Sequence, residues 1–131
     1  MDTQSKKYTI LVVEDDKSIS NVLRDKLTIE GFNVLQAYDG QIGVEIALRE
    51  HPDLILLDIL MPVMDGITVL KNLQKDAWGK MARIIMLTNL ADNENISMAI
   101  ANGSNDYLVK SNWSMKDLVS KIRKRLETPR S

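Results

Sequence analysis

The stretch "PDLILLDILMPVMDG", residues 52–66, sets the terms on which the rest of the chain is read. Leu54, Ile55, Leu56 and Leu57 form an unbroken apolar run, the pattern of a strand covered on both faces. The run stops on a carboxylate, Asp58, and a loop bearing Pro62 and Gly66 follows. Burying an unpaired charge costs several kcal/mol or more, so Asp58 needs a compensating group or a place at a water-accessible rim.

Outward from this stretch, short apolar runs alternate with segments of helical period. Residues 8–13 read as a strand; Ile19, Val22, Leu23 and Leu27 then recur at helical spacing, and Gly31 suits the helix C-terminus. Residues 33–37 read as a second strand, and residues 41–49 as a helix despite Gly43. After the third strand, Asp65 is placed to cap a helix carrying Ile67, Val69, Leu70 and Leu73. Residues 83–87 give a fourth strand, and Ile96, Ala99 and Ile100 a helix closed by Gly103. Residues 106–109 give the fifth strand. Met115, Leu118, Val119, Ile122 and Leu126 stripe the last helix, with Pro129 beyond it. Strict alternation of this kind predicts an α/β fold, a doubly wound five-stranded parallel sheet with helices on both faces. One domain is expected over residues 1–131, with a core at about 8–127 and short polar tails. Ligands of such sheets bind beyond the carboxyl ends of the strands.

Those ends carry the chemistry. Strand one delivers Glu14, Asp15 and Asp16, strand three Asp58, strand four Thr88 and strand five Lys110. Asp58 becomes tolerable if a cation and Lys110 sit beside it. With no cysteine and a single histidine, an all-oxygen site favours Mg²⁺, Mn²⁺ or Ca²⁺ over zinc, and few carboxylates with room for water suit Mg²⁺ best. A carboxylate nucleophile, a divalent ion, a lysine and a hydroxyl are the parts needed to transfer a phosphoryl group onto an aspartate. The metal and Lys110 would neutralise the phosphoryl oxygens, and Thr88 would hydrogen-bond one of them.

"ILVVEDD", "PDLILLDILMPVMDG", "IIMLTN" and "DYLVKS", in this order and spacing, resemble the receiver domain of two-component response regulators, of the chemotaxis-type single-domain kind. The resemblance covers almost the whole chain. It implies a flavodoxin-like (βα)5 fold with strand order 2-1-3-4-5, and Asp58 as phosphoacceptor. It also implies Mg²⁺ (or Mn²⁺) held by Asp15 directly, by Glu14 through water, by Asp58 and by the backbone carbonyl of Leu60. Thr88 would be the switch hydroxyl, Lys110 the phosphate-contacting lysine and Tyr107 the switch aromatic. The donor would be a phosphohistidine on a sensor histidine kinase or phosphotransfer protein. The surface of the fourth helix, fifth strand and fifth helix would be read by a downstream protein or a second copy of the chain. Two further positions follow from the likeness: Leu60 and Leu90, two beyond the aspartate and the threonine, are apolar where polar groups would orient an attacking water, so slow self-dephosphorylation is expected. The chain departs from the family at Ser111, where receivers usually carry proline after the lysine. A non-proline cis bond costs about 2.5–4 kcal/mol, so Lys110–Ser111 is expected to be trans.

Composition narrows the alternatives. Seventeen basic against eighteen acidic residues leave a net charge of −1, so no global field invites nucleic acid or anionic lipid. The cations of the last helix read as complements of its macrodipole. No apolar stretch approaches the roughly 20 residues of a membrane span, and no signal-peptide core is present, so a cytoplasmic location is the default. Asp16, Asp65 and Gly66 read as cap and turn residues, His51 as a solvated loop residue, and Trp78 and Trp113 as packing. Two rival functions remain: an Mg²⁺-dependent phosphohydrolase working through the same aspartate, disfavoured by the lack of a long insertion for a lid, and a flavin or nucleotide binder, disfavoured by acids where a phosphate cradle needs glycines.

Overall fold

The computed structural model describes residues 7–88, 93–102, 106–109 and 114–127. Five strands alternate with five α-helices: β1 (Thr9–Val13), α1 (Lys17–Ile29), β2 (Asn33–Ala37), α2 (Gly40–Glu50), β3 (Leu54–Asp58), α3 (Gly66–Gln74), β4 (Ile84–Thr88), α4 (Asn93–Ala101), β5 (Asp106–Val109) and α5 (Met115–Glu127). The expected strands reappear within a residue of their predicted ends, and β3 extends to include Asp58. A 3₁₀ turn at Gly79–Met81, which periodicity could not signal, precedes β4. The strands form one parallel sheet in the order β2-β1-β3-β4-β5, the flavodoxin-like arrangement expected of the receiver fold.

Alternation along the strands divides the core in two. Leu11, Val13, Ile55, Leu57, Ile84 and Met86 pack with Ala47 of α2, Ile67, Val69, Leu70 and Leu73 of α3, and Ala99 of α4. Ile10, Val12, Leu54, Leu56, Ile85 and Leu87 pack on the other face with Leu23 and Leu27 of α1 and with Leu118, Val119, Ile122 and Leu126 of α5. Because both faces are covered, the central strands read as unbroken apolar runs.

The turns follow from individual residues. α1 ends in a Schellman motif: Gly31 takes φ 98°, its N–H donates to the Thr28 carbonyl, and the Phe32 N–H reaches back to Leu27 at 3.0 Å. Phe32 and Leu27 lie in the same apolar cluster. Each of the first three helices starts on an aspartate whose carboxylate accepts a backbone N–H three residues on: Asp16 from Ile19, Asp39 from Ile42 and Asp65 from Thr68.

Removing buried methyls from the central strand leaves a cavity that cannot collapse against two helical layers. Leu56→Ala should therefore lower stability in urea by about 2–5 kcal/mol with an unchanged m-value. Val22→Ala, on the exposed side of α1, should change it by less than ~0.5 kcal/mol.

Candidate functional site

Strand register assembles the acids. Val13 lies opposite Leu57 across the β1–β3 pair, so Glu14 and Asp58 are the next residues beyond the same rung. Carboxylate oxygens of Glu14, Asp15 and Asp58 all lie within 4.8 Å of one another. Glu14 is 1% and Asp58 4% exposed, whereas Asp15 is open to solvent. At such a spacing and an effective dielectric of about 20, repulsion within the buried Glu14–Asp58 pair is on the order of 3 kcal/mol before compensation.

The backbone holds these groups in place. The Asp16 N–H donates to Glu14 Oε2 at 3.0 Å, and the Glu14 N–H donates to the Ala37 carbonyl at 3.0 Å. Three consecutive acids thus divide their work: Glu14 and Asp15 join the cluster, and Asp16 caps α1 as expected. Beyond Asp58, the Ile59 N–H donates to Leu87 and the Gly66 N–H to the Ile59 carbonyl at 2.8 Å. A Cβ on Gly66 would collide with the Asp58 carbonyl and lie 2.9 Å from Ile59 Cα. Gly66 is therefore more than the turn residue its sequence context indicated, since it lets α3 begin against the tip of the strand that carries Asp58.

Leu60 is exposed in the loop that follows Asp58. In the same loop Val63 takes φ 71°, and the Met64 N–H closes a three-residue turn onto the Pro62 carbonyl at 2.7 Å. This left-handed conformation is strained for a β-branched residue, and nothing in the sequence marks it. Thr88 ends β4 with Val109 as its register partner, one step beyond the Asp58–Leu87 rung. Tyr107 pairs with Met86, which puts it on the sheet face covered by α3 and α4, and it is 38% exposed. Lys110, Leu90, Trp113 and the Lys110–Ser111 bond lie outside the described residues. His51 is exposed at the opposite end of the sheet; it takes a left-handed φ of 48° as the cap of α2 and stacks on Trp78 with ring centroids 4.4 Å apart.

Three carboxylates without histidine or thiolate form a donor set for a hard divalent cation, and two of the three are buried. The residues present fit Mg²⁺.

Comparison with known proteins agrees with this geometry. The family model described as "Response regulator receiver domain" matches residues 10–123. Among curated proteins, the chain is 40% identical over 117 residues to "Probable transcriptional regulator ycf27" of Porphyridium aerugineum, covering 89% of this chain and 47% of that protein. It is 36% identical to the DNA-binding response regulator MtrA of Mycolicibacterium smegmatis, over 96% of this chain and 53% of that one. The chain thus spans about half the length of the curated relatives it matches. Among solved structures, a putative response regulator from Chloroflexus aurantiacus superposes with a TM-score of 0.87 at 29% identity, covering 94% of this chain and all of that one. The receiver domain of a sensor histidine kinase from Pseudomonas aeruginosa, with a magnesium ion coordinated in its active site cleft, superposes with a TM-score of 0.85 at 28% identity, over 94% of this chain and 100% of its own.

If the acids hold Mg²⁺, the ion should stabilise the fold by mass action, by about 2.7 kcal/mol at one hundred times its Kd. Thermal melts with Mg²⁺ and with EDTA check this. Asp15→Ala should lose the Mg²⁺-dependent rise in Tm while melting no lower than the wild type in EDTA.

Proposed function

Because the chain belongs to the response regulator receiver domain family, we propose that it is a signalling switch that takes a phosphoryl group from a phosphohistidine onto Asp58. The observation that carries this reading is the convergence of the Glu14, Asp15 and Asp58 carboxylates at the carboxyl ends of β1 and β3. The donor is a sensor histidine kinase or a histidine phosphotransfer protein.

In the transfer, an Asp58 carboxylate oxygen attacks phosphorus in line. A P–O bond forms, the P–N bond to the donor imidazole breaks, and its electron pair returns to that nitrogen. Glu14, Asp15, Asp58 and the Leu60 carbonyl would hold Mg²⁺, which when bound supplies positive charge to offset the phosphoryl oxygens. Lys110 adds a second cation, and the Thr88 hydroxyl donates to one phosphoryl oxygen. Positioning and charge stabilisation supply most of the chemistry, as in phosphoryl transfer generally. The chain is on this reading a phosphoacceptor that assists its own modification rather than an enzyme with a turning-over substrate.

A phosphoryl group adds about −1.5 to −2 charges and strong acceptor oxygens where three acids already meet. Drawing Thr88 toward it frees space beside β4 that Tyr107 can enter. The half-exposed position of Tyr107 on an edge strand, in register with Met86, supports that role. The face of α4, β5 and α5 would then change its population of states and be read by a downstream protein or a second copy of the chain.

Mass spectrometry after incubation with Mg²⁺ and a small phosphodonor tests the assignment. The wild type should gain the mass of one phosphoryl group and Asp58→Asn none; continuous release of phosphate over many turnovers would instead indicate a phosphohydrolase.

The lifetime of the phosphoryl group offers a separate check. Leu60 is 63% exposed beside the acids and cannot orient an attacking water. Leu60→Asn combined with Leu90→Glu should speed phosphoryl loss in Mg²⁺ buffer about tenfold or more, a barrier change of about 1.4 kcal/mol per factor of ten. Equal or slower loss would remove these leucines from the role.

A further inference from the structure

The loop after Asp58, residues 59–65, is approached by glycines from two elements. Gly66 lies within α3 itself, but Gly40 begins α2, a separate part of the chain. A Cβ at position 40 would run into the Met64 carbonyl oxygen and lie 2.9 Å from its carbon and 2.8 Å from Val69 Cγ2. Backbone cannot swing aside as a side chain does, so any residue larger than glycine here forces the loop or the helix to move.

Conformation gives no other reason for a glycine at this position. Gly40 is not among the residues with positive φ, and it occupies the first turn of a helix, where glycine is a poor helix former. Close approach is the property it supplies. The backbone it meets belongs to the strained turn in which Val63 takes φ 71° and the Met64 N–H closes onto Pro62. Such a conformation persists only where its surroundings over-determine it. Asp39 fixes the start of α2 by accepting the Ile42 N–H at 2.9 Å, so the helix end bearing Gly40 is itself anchored.

We infer that Gly40 is a positioning residue for the acidic site: by seating α2 against the Met64 carbonyl it holds the loop, and with it the Leu60 carbonyl, where a cation's oxygen shell is completed. The inference rests on the proposed function for the role of that carbonyl. It couples the start of α2 to the metal site although no α2 side chain is a ligand.

The test compares Gly40→Ala with Gly43→Ala, using Mg²⁺ titration by calorimetry and amide exchange of the metal-free protein. Gly43 is a control on the same helix, since the three atoms nearest its added Cβ all belong to the Val13 side chain, at 2.9, 3.0 and 3.5 Å. Gly40→Ala should raise the Kd for Mg²⁺ about tenfold or more, the scale of supporting-residue changes at metal sites. It should also speed exchange of the Met64 and Gly66 amides without the metal. Gly43→Ala should lower the urea midpoint, change Kd less than Gly40→Ala does, and leave those amides as in the wild type. If Gly40→Ala does not fold, Gly40→Ala with Val69→Ala removes the methyl contact, keeps the carbonyl one and should show the same loss of affinity. Wild-type affinity in either Gly40 variant overturns the inference alone, whereas a wild type that does not bind Mg²⁺ overturns the functional reading beneath it.

Discussion

A parallel strand buried on both faces can present polar chemistry only at its ends. β3 lies at the centre of the sheet, and its first four residues are committed to apolar contacts on one side or the other. Asp58 is the first position at which the strand escapes that constraint, and at 4% exposure it escapes only partly. β1 is built the same way and delivers Glu14 one step beyond its last core residue. The site is thus a consequence of the core: the layers that exclude water from Leu57 and Val13 also bring two acids to one edge.

Backbone groups hold several of the residues at that edge. Glu14 is oriented by the amide two residues on, Asp16 is spent on the helix, and Gly66 allows α3 to start hard against the Asp58 carbonyl. This economy leaves Asp15 exposed and the loop after Asp58 stretched through a left-handed valine. Strain placed beside a cluster of acids has a physical use, because a pre-shaped loop need not be ordered when a ligand arrives.

The α1–α5 face carries a tie that joins α5 to the end of α1. On the α1–α5 side, Arg123 of α5 donates to the Glu30 carbonyl at 2.9 Å and lies over the Phe32 ring at 4.9 Å, fastening α5 to the α1–β2 turn. On the other side, β5 is an edge strand, and Tyr107 is half in solvent.

The apolar runs, helical stripes, Asp16 and Asp65 caps and Gly31 terminus were legible in the residues because each depends on local chemistry and a short repeat. Alternation of strand and helix determined a doubly wound parallel sheet, and with it the gathering of Glu14, Asp15 and Asp58 at one edge. Tertiary structure alone decided what happens where distant backbones meet. Val63 carries no sequence mark of a left-handed conformation, because the packing that imposes it comes from elsewhere. Gly66 looks like a turn residue until the Asp58 carbonyl is placed against it, Gly40 draws no notice until the Met64 carbonyl is, and His51 looks like a solvated loop residue until Trp78 lies across its ring. Periodicity reports which side of an element is buried; it holds no information on how closely two elements approach, since that distance is set by the packing of both.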